Sequence, residues 1–406
     1  MNPSSDFIPF ARPALGKEEE DAVLAVLRSG WLTTGKVTRA FEEEFAAFVG
    51  AKHALAVNSA TSGLHLAFEA AGVGPGNLVV TSPYTFASTA AVARHLGAEV
   101  RFCDIGTKDY NIDPGLLEGI LAREKNVAAV VPVHIGGNPC DMDSLLASTS
   151  ENGAGERRDS DRGRGIAVIE DAAHCFPSRT ADGFAGTLGD IGVYSFYATK
   201  TITSGEGGMI VTDDADLARR MSTMRMHGFD REAWDRYISP KASWYYEVVE
   251  AGYKFNLPDI LAAIGRAQLA KADRLLAERV AIARRYDEAF GELDRLILPP
   301  RKNGDSHAWH LYSLRVAGAG EASEAARDSL IAALQKAGIG SSVHFIPLHL
   351  MPYWAKRYSL KPSDFPNAWA FYRASVSLPI WPGMGEAAES RVIETVTAWA
   401  RGRGTQ

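Results

Sequence analysis

Two ionisable side chains follow predicted buried strands, and their chemistry suits carbonyl compounds. Asp171 comes directly after the apolar run 166–170, and Lys200 follows the apolar run 191–196. The carboxyl edge of a parallel sheet is where α/β proteins bind ligands, although Asp171 could equally cap the next helix. Lys200 lies among small and hydroxyl residues, where desolvation would lower the pKa of its amine, and a neutral amine can form a Schiff base. The alternative for Lys200 is an ordinary solvent-facing lysine.

Two further segments could bind other parts of one ligand. After the predicted strand 54–57, Thr61 and Ser62 open a helix whose exposed N–H groups suit a phosphate ester, or these residues simply cap it. After the predicted strand 78–81, the segment 83–86 supplies an aromatic ring for stacking or for the core. Pyridoxal 5′-phosphate (PLP) has an aldehyde, a ring nitrogen, a flat ring and a phosphate, so the four signals together predict this cofactor.

Short apolar runs alternate with helix-length amphipathic segments between residues 54 and 212. Such alternation predicts a doubly wound α/β domain whose strands are covered by helices on both faces. A connection of only twelve residues, 197–208, joins the last two runs, which favours an antiparallel pair and therefore a mixed, mostly parallel sheet. The predicted strands are 54–57, 78–81, 100–102, 127–133, 166–170, 191–196 and 209–212.

The pattern changes near residue 258, where a smaller α+β domain is predicted to begin. Its expected elements are a long helix over 259–287, strands over 309–316 and 342–346, and a helix over 325–337. We therefore expect a large PLP-binding domain over 1–256 and a small C-terminal domain over 257–406. The charged, glycine-rich segment 151–165 is predicted to be a surface loop, because its acids and arginines cancel and show no periodicity.

The composition of the chain argues against several classes of protein. The 406 residues carry a formal net charge of −6, which gives no electrostatic basis for binding nucleic acid or an anionic membrane. Three scattered cysteines are too few for a disulfide framework or a zinc cluster, and no metal site is expected. The sequence shows neither a signal-peptide pattern nor a membrane-spanning apolar run, so we expect a cytoplasmic protein.

Several motifs together resemble one family. The chain is similar over residues 10–399 to the fold type I, PLP-dependent nucleotide-sugar aminotransferases of the DegT/StrS type. The pairing of Asp171 with Lys200, followed by GEGG at 205–208, is highly specific for that family. The other matching segments are GWLTTG at 30–35, FEEEF at 41–45, GNPCDM at 137–142, EDAAH at 170–174, SFYATK at 195–200, HG at 227–228, GYKFNL at 252–257, VHF at 343–345 and LP at 378–379.

The resemblance implies a role in cofactor binding for each matching residue. Lys200 would hold PLP as a Schiff base and move the substrate's proton, while Asp171 would keep the ring nitrogen protonated. His174 would donate a hydrogen bond to the phenolic oxygen, and Phe86 would stack on the ring. The implied phosphate ligands are Thr61, Ser62 and Ser195.

The same resemblance implies an active site that two subunits share. Asn256 would reach the phosphate bound by the neighbouring subunit, which makes a homodimer obligatory; the alternative is a plain helix cap before Pro258. The candidate substrate contacts are His227, Arg231, His344 and His349, each of which could instead be a structural hydrogen-bonding residue.

The activity implied by the resemblance is transfer of an amino group from L-glutamate to a nucleotide-linked keto sugar. The GYKFNL segment favours a 4-keto sugar on UDP or dTDP. The alternatives are an aminotransferase with a non-sugar ketone acceptor and a PLP-dependent sugar dehydratase. Such dehydratases replace the Schiff-base lysine, so the intact Lys200 counts against that activity. A PLP-binding transcription regulator needs a DNA-binding domain, for which the two expected domains leave no room.

Overall fold

The fold is built around one large sheet. The computed structural model describes residues 7–153, 165–230, 245–300 and 307–402. The strands of this sheet are β1 (His53–Val57), β2 (Leu78–Thr81), β3 (Glu99–Phe102), β4 (Val127–Val131), β5 (Ala167–Asp171), β6 (Ile191–Ser195) and β7 (Gly208–Thr212). Their order is β1-β7-β6-β5-β4-β2-β3. β7 is antiparallel to both of its neighbours and the other pairs are parallel, which confirms the predicted mixed sheet.

Helices cover both faces of the large sheet. They include α1 (Lys17–Ser29), α2 (Lys36–Val49), α3 (Ala60–Ala70), α4 (Ala87–His95), α5 (Pro114–Leu121), α6 (Met142–Gly153) and α7 (Ala215–Arg225). Successive residues of a strand point to opposite faces, so neighbours on β6 enter different cores. Val193 packs in the core that contains Leu64 of α3, and Tyr194 packs in the core that contains Phe41 of α2. The doubly wound arrangement follows from this double coverage.

A smaller antiparallel sheet with helices forms in the later part of the chain, where the sequence predicted a smaller α+β domain. Its strands are β8 (Leu296–Ile297), β9 (Tyr312–Val316) and β10 (Ser375–Leu378), in the order β10-β9-β8. The later helices are α8 (Asp259–Leu269), α9 (Ala272–Phe290), α10 (Gly320–Lys336), α11 (Pro352–Tyr358), α12 (Pro366–Ala374) and α13 (Glu386–Ala400). Tyr286, Leu330 and Val392 bring α9, α10 and α13 into one core with this sheet. The domain boundary after residue 256 stays a prediction.

The predicted single helix over 259–287 is two helices. α8 ends at Leu269, and α9 begins at Ala272 after Lys271 leaves the helical conformation. The Lys271 ammonium lies 2.6 Å from a carboxylate oxygen of Glu19 on α1. The interruption lets α8 pack against α1 and α2 while α9 covers the smaller sheet. Periodicity does not reveal the break, because alanine and lysine are good helix formers.

The predicted strand over 342–346 is wrong. Only Ser342 pairs, in an isolated bridge with Ser377 of β10, a strand that the sequence did not indicate. The next residues turn toward the large sheet, because the Tyr84 hydroxyl donates to the His344 carbonyl at 2.6 Å. Among the residues described, no helix combines the length and apolarity needed to cross a bilayer.

The N-terminus of α2 is capped by a residue distant in sequence. Gly35 at the start of α2 has no side chain to accept from the first N–H groups, and the carboxylate of Asp259 takes this role. One Asp259 oxygen lies 2.8 Å from the Gly35 nitrogen, 2.9 Å from the Thr38 nitrogen and 2.7 Å from the Thr38 hydroxyl. The negative charge at a helix N-terminus also suits the helix dipole. This contact joins the GWLTTG segment to the start of α8.

Replacing Asp259 with alanine is therefore expected to destabilise the fold. Asp259→Ala leaves buried N–H groups without acceptors, which costs about 2–4 kcal/mol of unfolding free energy. Urea unfolding followed by circular dichroism measures the change. The matched control is Asp273→Ala, since Asp273 is exposed in the first turn of α9 and should change the free energy by less than about 0.5 kcal/mol. Equal effects of the two variants would contradict the capping role.

Candidate active site

Asp171 ends β5 at the carboxyl edge of the large sheet and is buried there. The Thr89 hydroxyl donates to one carboxylate oxygen at 2.7 Å, and the Ala173 N–H donates to the other at 3.2 Å. Burial raises the pKa of Asp171, while these two hydrogen bonds and the charge of Lys200 act in the opposite direction. The structure therefore places a carboxylate where the sequence predicted one, facing the lysine.

Glu170, the preceding residue, points to the other side of the sheet and has a structural role. Its carboxylate accepts hydrogen bonds from the backbone of Gly186 at 2.8 Å, Leu188 at 2.7 Å and Gly189 at 2.6 Å. The fourth partner is His134, whose Nε2 lies 2.8 Å away. A buried carboxylate with four partners fixes the turn 186–189 that leads into β6. The sequence analysis did not assign this role to Glu170.

Lys200 lies in the loop that follows β6 and is half-buried. Its backbone N–H donates to the Tyr197 carbonyl at 2.9 Å, which turns the loop back toward the sheet edge. Burial lowers the pKa of the Lys200 amine to about 8, although the negative charge of Asp171 acts to raise it. Desolvation outweighs the nearby charge, so a substantial fraction of this amine is neutral near physiological pH. A neutral amine is the form that reacts with an aldehyde.

His174 is a neutral hydrogen-bond donor beside this lysine. The Gly136 N–H donates to its Nδ1 at 3.3 Å, so the proton of the neutral ring is carried by Nε2. Burial and the charge of Lys200 lower the pKa of His174 well below its usual value. The ring stacks at 5.6 Å on Phe345. A buried Nε2–H group at this edge fits the phenolic oxygen of the predicted cofactor.

The predicted anion site lies at the N-terminus of α3, and it stays a prediction. Ser59 caps the helix by accepting from the Ser62 N–H at 3.1 Å, and the two hydroxyls lie 3.0 Å apart. Ser62 is buried at this end, whereas Thr61 is exposed. Ser195 pairs with Gly208, which in turn pairs with the end of β1, so Ser195 reaches the same edge.

Gly208 is required for this arrangement because α3 begins directly above it. A Cβ atom at Gly208 would lie 2.8 Å from the backbone nitrogen of Ala60. That separation is closer than real Cβ contacts, so a side chain here would push the helix N-terminus away from the sheet. The glycine therefore keeps the free N–H groups of α3 at the carboxyl edge of β1 and β6.

Phe86 follows β2 and is 60% exposed, which is unusual for a phenylalanine beside a buried cluster. Its ring lies 6.3 Å from that of Phe345. An exposed aromatic face at this edge can stack on a flat ring. With the Asp171 carboxylate, the His174 Nε2–H group and the α3 N-terminus, these residues fit PLP, whose ring nitrogen, phenolic oxygen and phosphate need those partners.

The four predicted substrate residues differ in where they lie relative to Lys200. His344 lies near Lys200: burial and the charge of Lys200 lower the pKa of His344 to about 4, and its Nδ1 lies 3.0 Å from the Ser377 hydroxyl. His349 is buried against Phe365, with ring centroids 4.8 Å apart, so it belongs to the core. His227 is exposed after α7, and its backbone N–H donates to the Tyr253 carbonyl. Arg231 lies outside the described residues.

Asn256 lies beside the end of β1, in an isolated bridge with Val57. Its amide donates to the Thr34 hydroxyl at 2.6 Å and accepts from the Lys254 ammonium. Within one chain, Asn256 thus connects the GWLTTG and GYKFNL segments close to the α3 N-terminus. Its role toward a neighbouring subunit stays a prediction.

His310 is a site residue that the sequence analysis missed. Its ring centroid lies 4.4 Å from that of His174, and burial with the charge of Lys200 lowers its pKa well below the usual value. The available signal was a histidine within the apolar run 309–316, which we interpreted only as a strand. Thr89 was missed as well, because its contact with Asp171 joins residues 82 positions apart.

The comparisons with known proteins show the family of the chain. A family model described as the DegT/DnrJ/EryC1/StrS aminotransferase family matches residues 13–397. The chain belongs to this family. Members are PLP-dependent aminotransferases, so the predicted enzyme class and cofactor are confirmed.

Individual relatives of this aminotransferase cover nearly its whole length. The spore coat polysaccharide biosynthesis protein SpsC of Bacillus subtilis is 45% identical over 397 residues, which are 98% of each chain. The solved structure of the putative sugar aminotransferase Spr1654 from Streptococcus pneumoniae in its PLP form has a TM-score of 0.89 at 28% identity, covering 98% of this chain and 100% of that one. Helicobacter pylori PseC, an aminotransferase involved in the biosynthesis of pseudoaminic acid, has a TM-score of 0.86 at 28% identity, with the same coverage.

The lowered pKa of Lys200 predicts how the rate at which the cofactor-free aminotransferase binds PLP depends on pH. Only the neutral amine attacks the aldehyde, so the capture rate should rise with pH through a midpoint near the pKa of about 8. Stopped-flow absorbance between pH 6 and about 10 measures it. Lys200→Ala should show no capture at any pH. A midpoint close to the ordinary lysine value of 10.5 would contradict the desolvation of this amine.

Asp171→Asn is predicted to bind PLP but to slow transamination by about 10²–10⁴-fold, because a neutral amide no longer favours the protonated ring nitrogen. Single-turnover absorbance with an amino donor measures the rate, and equilibrium dialysis measures binding. The matched control is Asp182→Asn, which changes an exposed carboxylate in the connection between β5 and β6 and should leave the rate unchanged. An unchanged rate in Asp171→Asn would overturn the assigned role.

Proposed function

We propose that this sugar aminotransferase moves an amino group from L-glutamate to the keto group of a nucleotide-linked sugar, with a 4-keto sugar on UDP or dTDP as the acceptor. The observation that carries the proposal is the desolvated Lys200 amine, which faces Asp171 at the carboxyl edge of the large sheet. The names of the relatives, which include a spore coat polysaccharide protein and a pseudoaminic acid enzyme, support a sugar acceptor. The cytoplasmic location stays a prediction.

Each residue of the site has a distinct part in this function. PLP supplies an electron sink when it is bound. Lys200 holds the cofactor and, as a partly neutral amine, accepts and returns the substrate's proton. Asp171 would hold a proton at the ring nitrogen, and His174 would donate from Nε2 to the phenolic oxygen. The α3 N-terminus, with Ser62, Thr61 and Ser195, would bind the phosphate, and Phe86 would stack on the ring.

His344 is the candidate that best fits a contact with the sugar acceptor. It is a neutral imidazole near Lys200, and its backbone and its ring are anchored by Tyr84 and Ser377 respectively. A neutral, oriented ring can accept or donate hydrogen bonds to sugar hydroxyls without a charge that would need compensation. His227 and Arg231 stay candidate substrate contacts on the sequence alone.

A screen of nucleotide keto sugars with L-glutamate tests the proposal. UDP- and dTDP-linked 4-keto sugars are incubated with the holoenzyme, and mass spectrometry follows the sugar product. We expect replacement of the carbonyl oxygen by an amino group, and no product with Lys200→Ala. Amination of a cyclic non-sugar ketone without any sugar amination would favour the alternative acceptor. Loss of a hydroxyl group without nitrogen incorporation would indicate a dehydratase.

We also propose that the active enzyme is a homodimer whose sites are shared through Asn256. Within its own chain the Asn256 amide donates to the Thr34 hydroxyl, and the support for a contact with the neighbouring subunit's phosphate is the resemblance of the GYKFNL segment. An isologous two-fold interface would then bring each Asn256 to the site of the other subunit.

Subunit mixing tests the shared site directly. Asn256→Asp should weaken PLP retention about tenfold or more, because the new carboxylate repels the phosphate. Mixing this variant with Lys200→Ala, after dissociation and reassociation, should restore roughly a quarter of wild-type activity, since half of the dimers are mixed and each contains one intact site. Activity that stays at the level of the separate variants, or an active monomer in gel filtration, would eliminate the shared site.

A further inference from the structure

Two buried histidines from distant parts of the chain form a packed pair at the active site. The His174 and His310 ring centroids lie 4.4 Å apart with their planes inclined by 46°. His174 follows β5 of the large sheet, whereas His310 precedes β9 of the smaller sheet. Both side chains are more than nine-tenths buried. The pair is therefore a contact between the two sheets, formed next to the reactive lysine.

One backbone turn, Gly136–Gly137, holds both members of the pair. The Gly136 N–H donates to His174 Nδ1 at 3.3 Å. The Gly136 carbonyl accepts from the Leu311 N–H at 3.0 Å, and the Gly137 carbonyl accepts from the Ala308 N–H at 2.9 Å. Gly137 has a φ of +101°, and a Cβ atom there would lie 3.0 Å from Ala308 Cβ. The turn thus orients His174 directly and fixes the backbone on either side of His310.

Arg279 of α9 holds the other side of this segment. Its guanidinium donates to the Trp309 carbonyl at 3.0 Å and to the Ile380 carbonyl at 2.7 Å. Trp309 has a φ of +50°, which is uncommon for a residue other than glycine, so the backbone before His310 needs such support. The side chain of His310 is thereby directed over His174.

The groups around His310 favour a neutral ring. Its Nδ1 is buried and has no hydrogen-bond partner among the described residues. The charged and titratable groups that face it are Lys200 from the loop after β6, His174 after β5, Arg279 on α9 and His344 before β10. Burial lowers the pKa of His310, and the Lys200 and Arg279 charges lower it further, so a second proton is disfavoured and the ring is neutral. The neutral His310 ring therefore covers His174 without adding a charge to the site.

We propose that His310 is a positioning residue, whose ring covers His174 and confines it to the orientation in which Nδ1 accepts from Gly136 and Nε2 is left to donate to the cofactor. The proposal rests on the proposed function only for the presence of PLP at this site. His310 acts through His174 and needs no contact with the substrate. Without the covering ring, water reaches His174, and the ring can rotate or take up a second proton.

The experiment measures the absorbance of the PLP-loaded protein as a function of pH. A donor at the phenolic oxygen favours the deprotonated chromophore, so its loss should raise the pH midpoint of the long-wavelength band. In His310→Ala we expect a rise of about 0.5–1 pH unit. In His310→Phe, which keeps the cover and removes both nitrogens, the midpoint should stay at the wild-type value. The control His349→Ala removes a buried histidine outside the site and should leave the midpoint unchanged.

An unshifted midpoint in His310→Ala would overturn the proposal, and so would an equal shift in His310→Phe, which would indicate a role for the nitrogens. A second measurement does not require any His310 variant to fold. In ¹⁵N-histidine-labelled wild type, the His174 signals, assigned by their loss in His174→Gln, should show a neutral Nε2–H ring across pH 6 to about 8. An Nδ1–H or doubly protonated ring contradicts the proposal. Neither measurement uses a sugar acceptor, so failure of the proposed amination would not affect them.

Discussion

Desolvation of the Lys200 amine is the constraint on which the active site depends. The amine must lose its proton easily, and burial lowers its pKa to about 8, yet the site also needs the carboxylate of Asp171, whose charge acts to raise that pKa. Further anions near Lys200 would raise the pKa of its amine back toward the ordinary lysine value. Among the described residues, the groups whose pKa values the charge of Lys200 lowers include His174, His310 and His344, and burial together with this charge keeps all three neutral. The site is therefore polar while containing few charges.

Two consecutive residues of strand β5 carry carboxylates with different roles, Glu170 a structural one and Asp171 a functional one. Glu170 points to one face of the sheet, where His134 and the backbone of the turn 186–189 satisfy it. Asp171 points to the opposite face, toward Lys200. Because the side-chain period of a strand is two, a shift of one residue in register would exchange these environments. The four partners of Glu170 oppose such a shift, so the structural carboxylate helps to fix the functional one.

Much of this arrangement follows from sequence patterns. The ends of β2, β5 and β6 lie within one residue of their predicted ends, since apolar runs bounded by polar and small residues carry that information locally, and Asp171 and Lys200 were found from these ends. The break at Lys271 and the loss of the predicted strand 342–346 were not predictable locally, because ion pairing with α1 and the Tyr84 hydroxyl cause them. The cover of His174 by His310 likewise depends on packing between the two sheets.

Borohydride reduction tests most directly whether Lys200 carries the cofactor. Reduction of the PLP-loaded protein fixes the cofactor to its lysine, and tryptic digestion with mass spectrometry locates the added mass. We predict one modified peptide, which contains Lys200 and shows a missed cleavage at that residue. Lys254 is the informative competitor, because burial lowers its pKa as well, although it is hydrogen-bonded to Asn256. A pyridoxyl group on Lys254, on another lysine or on no peptide would contradict the assignment.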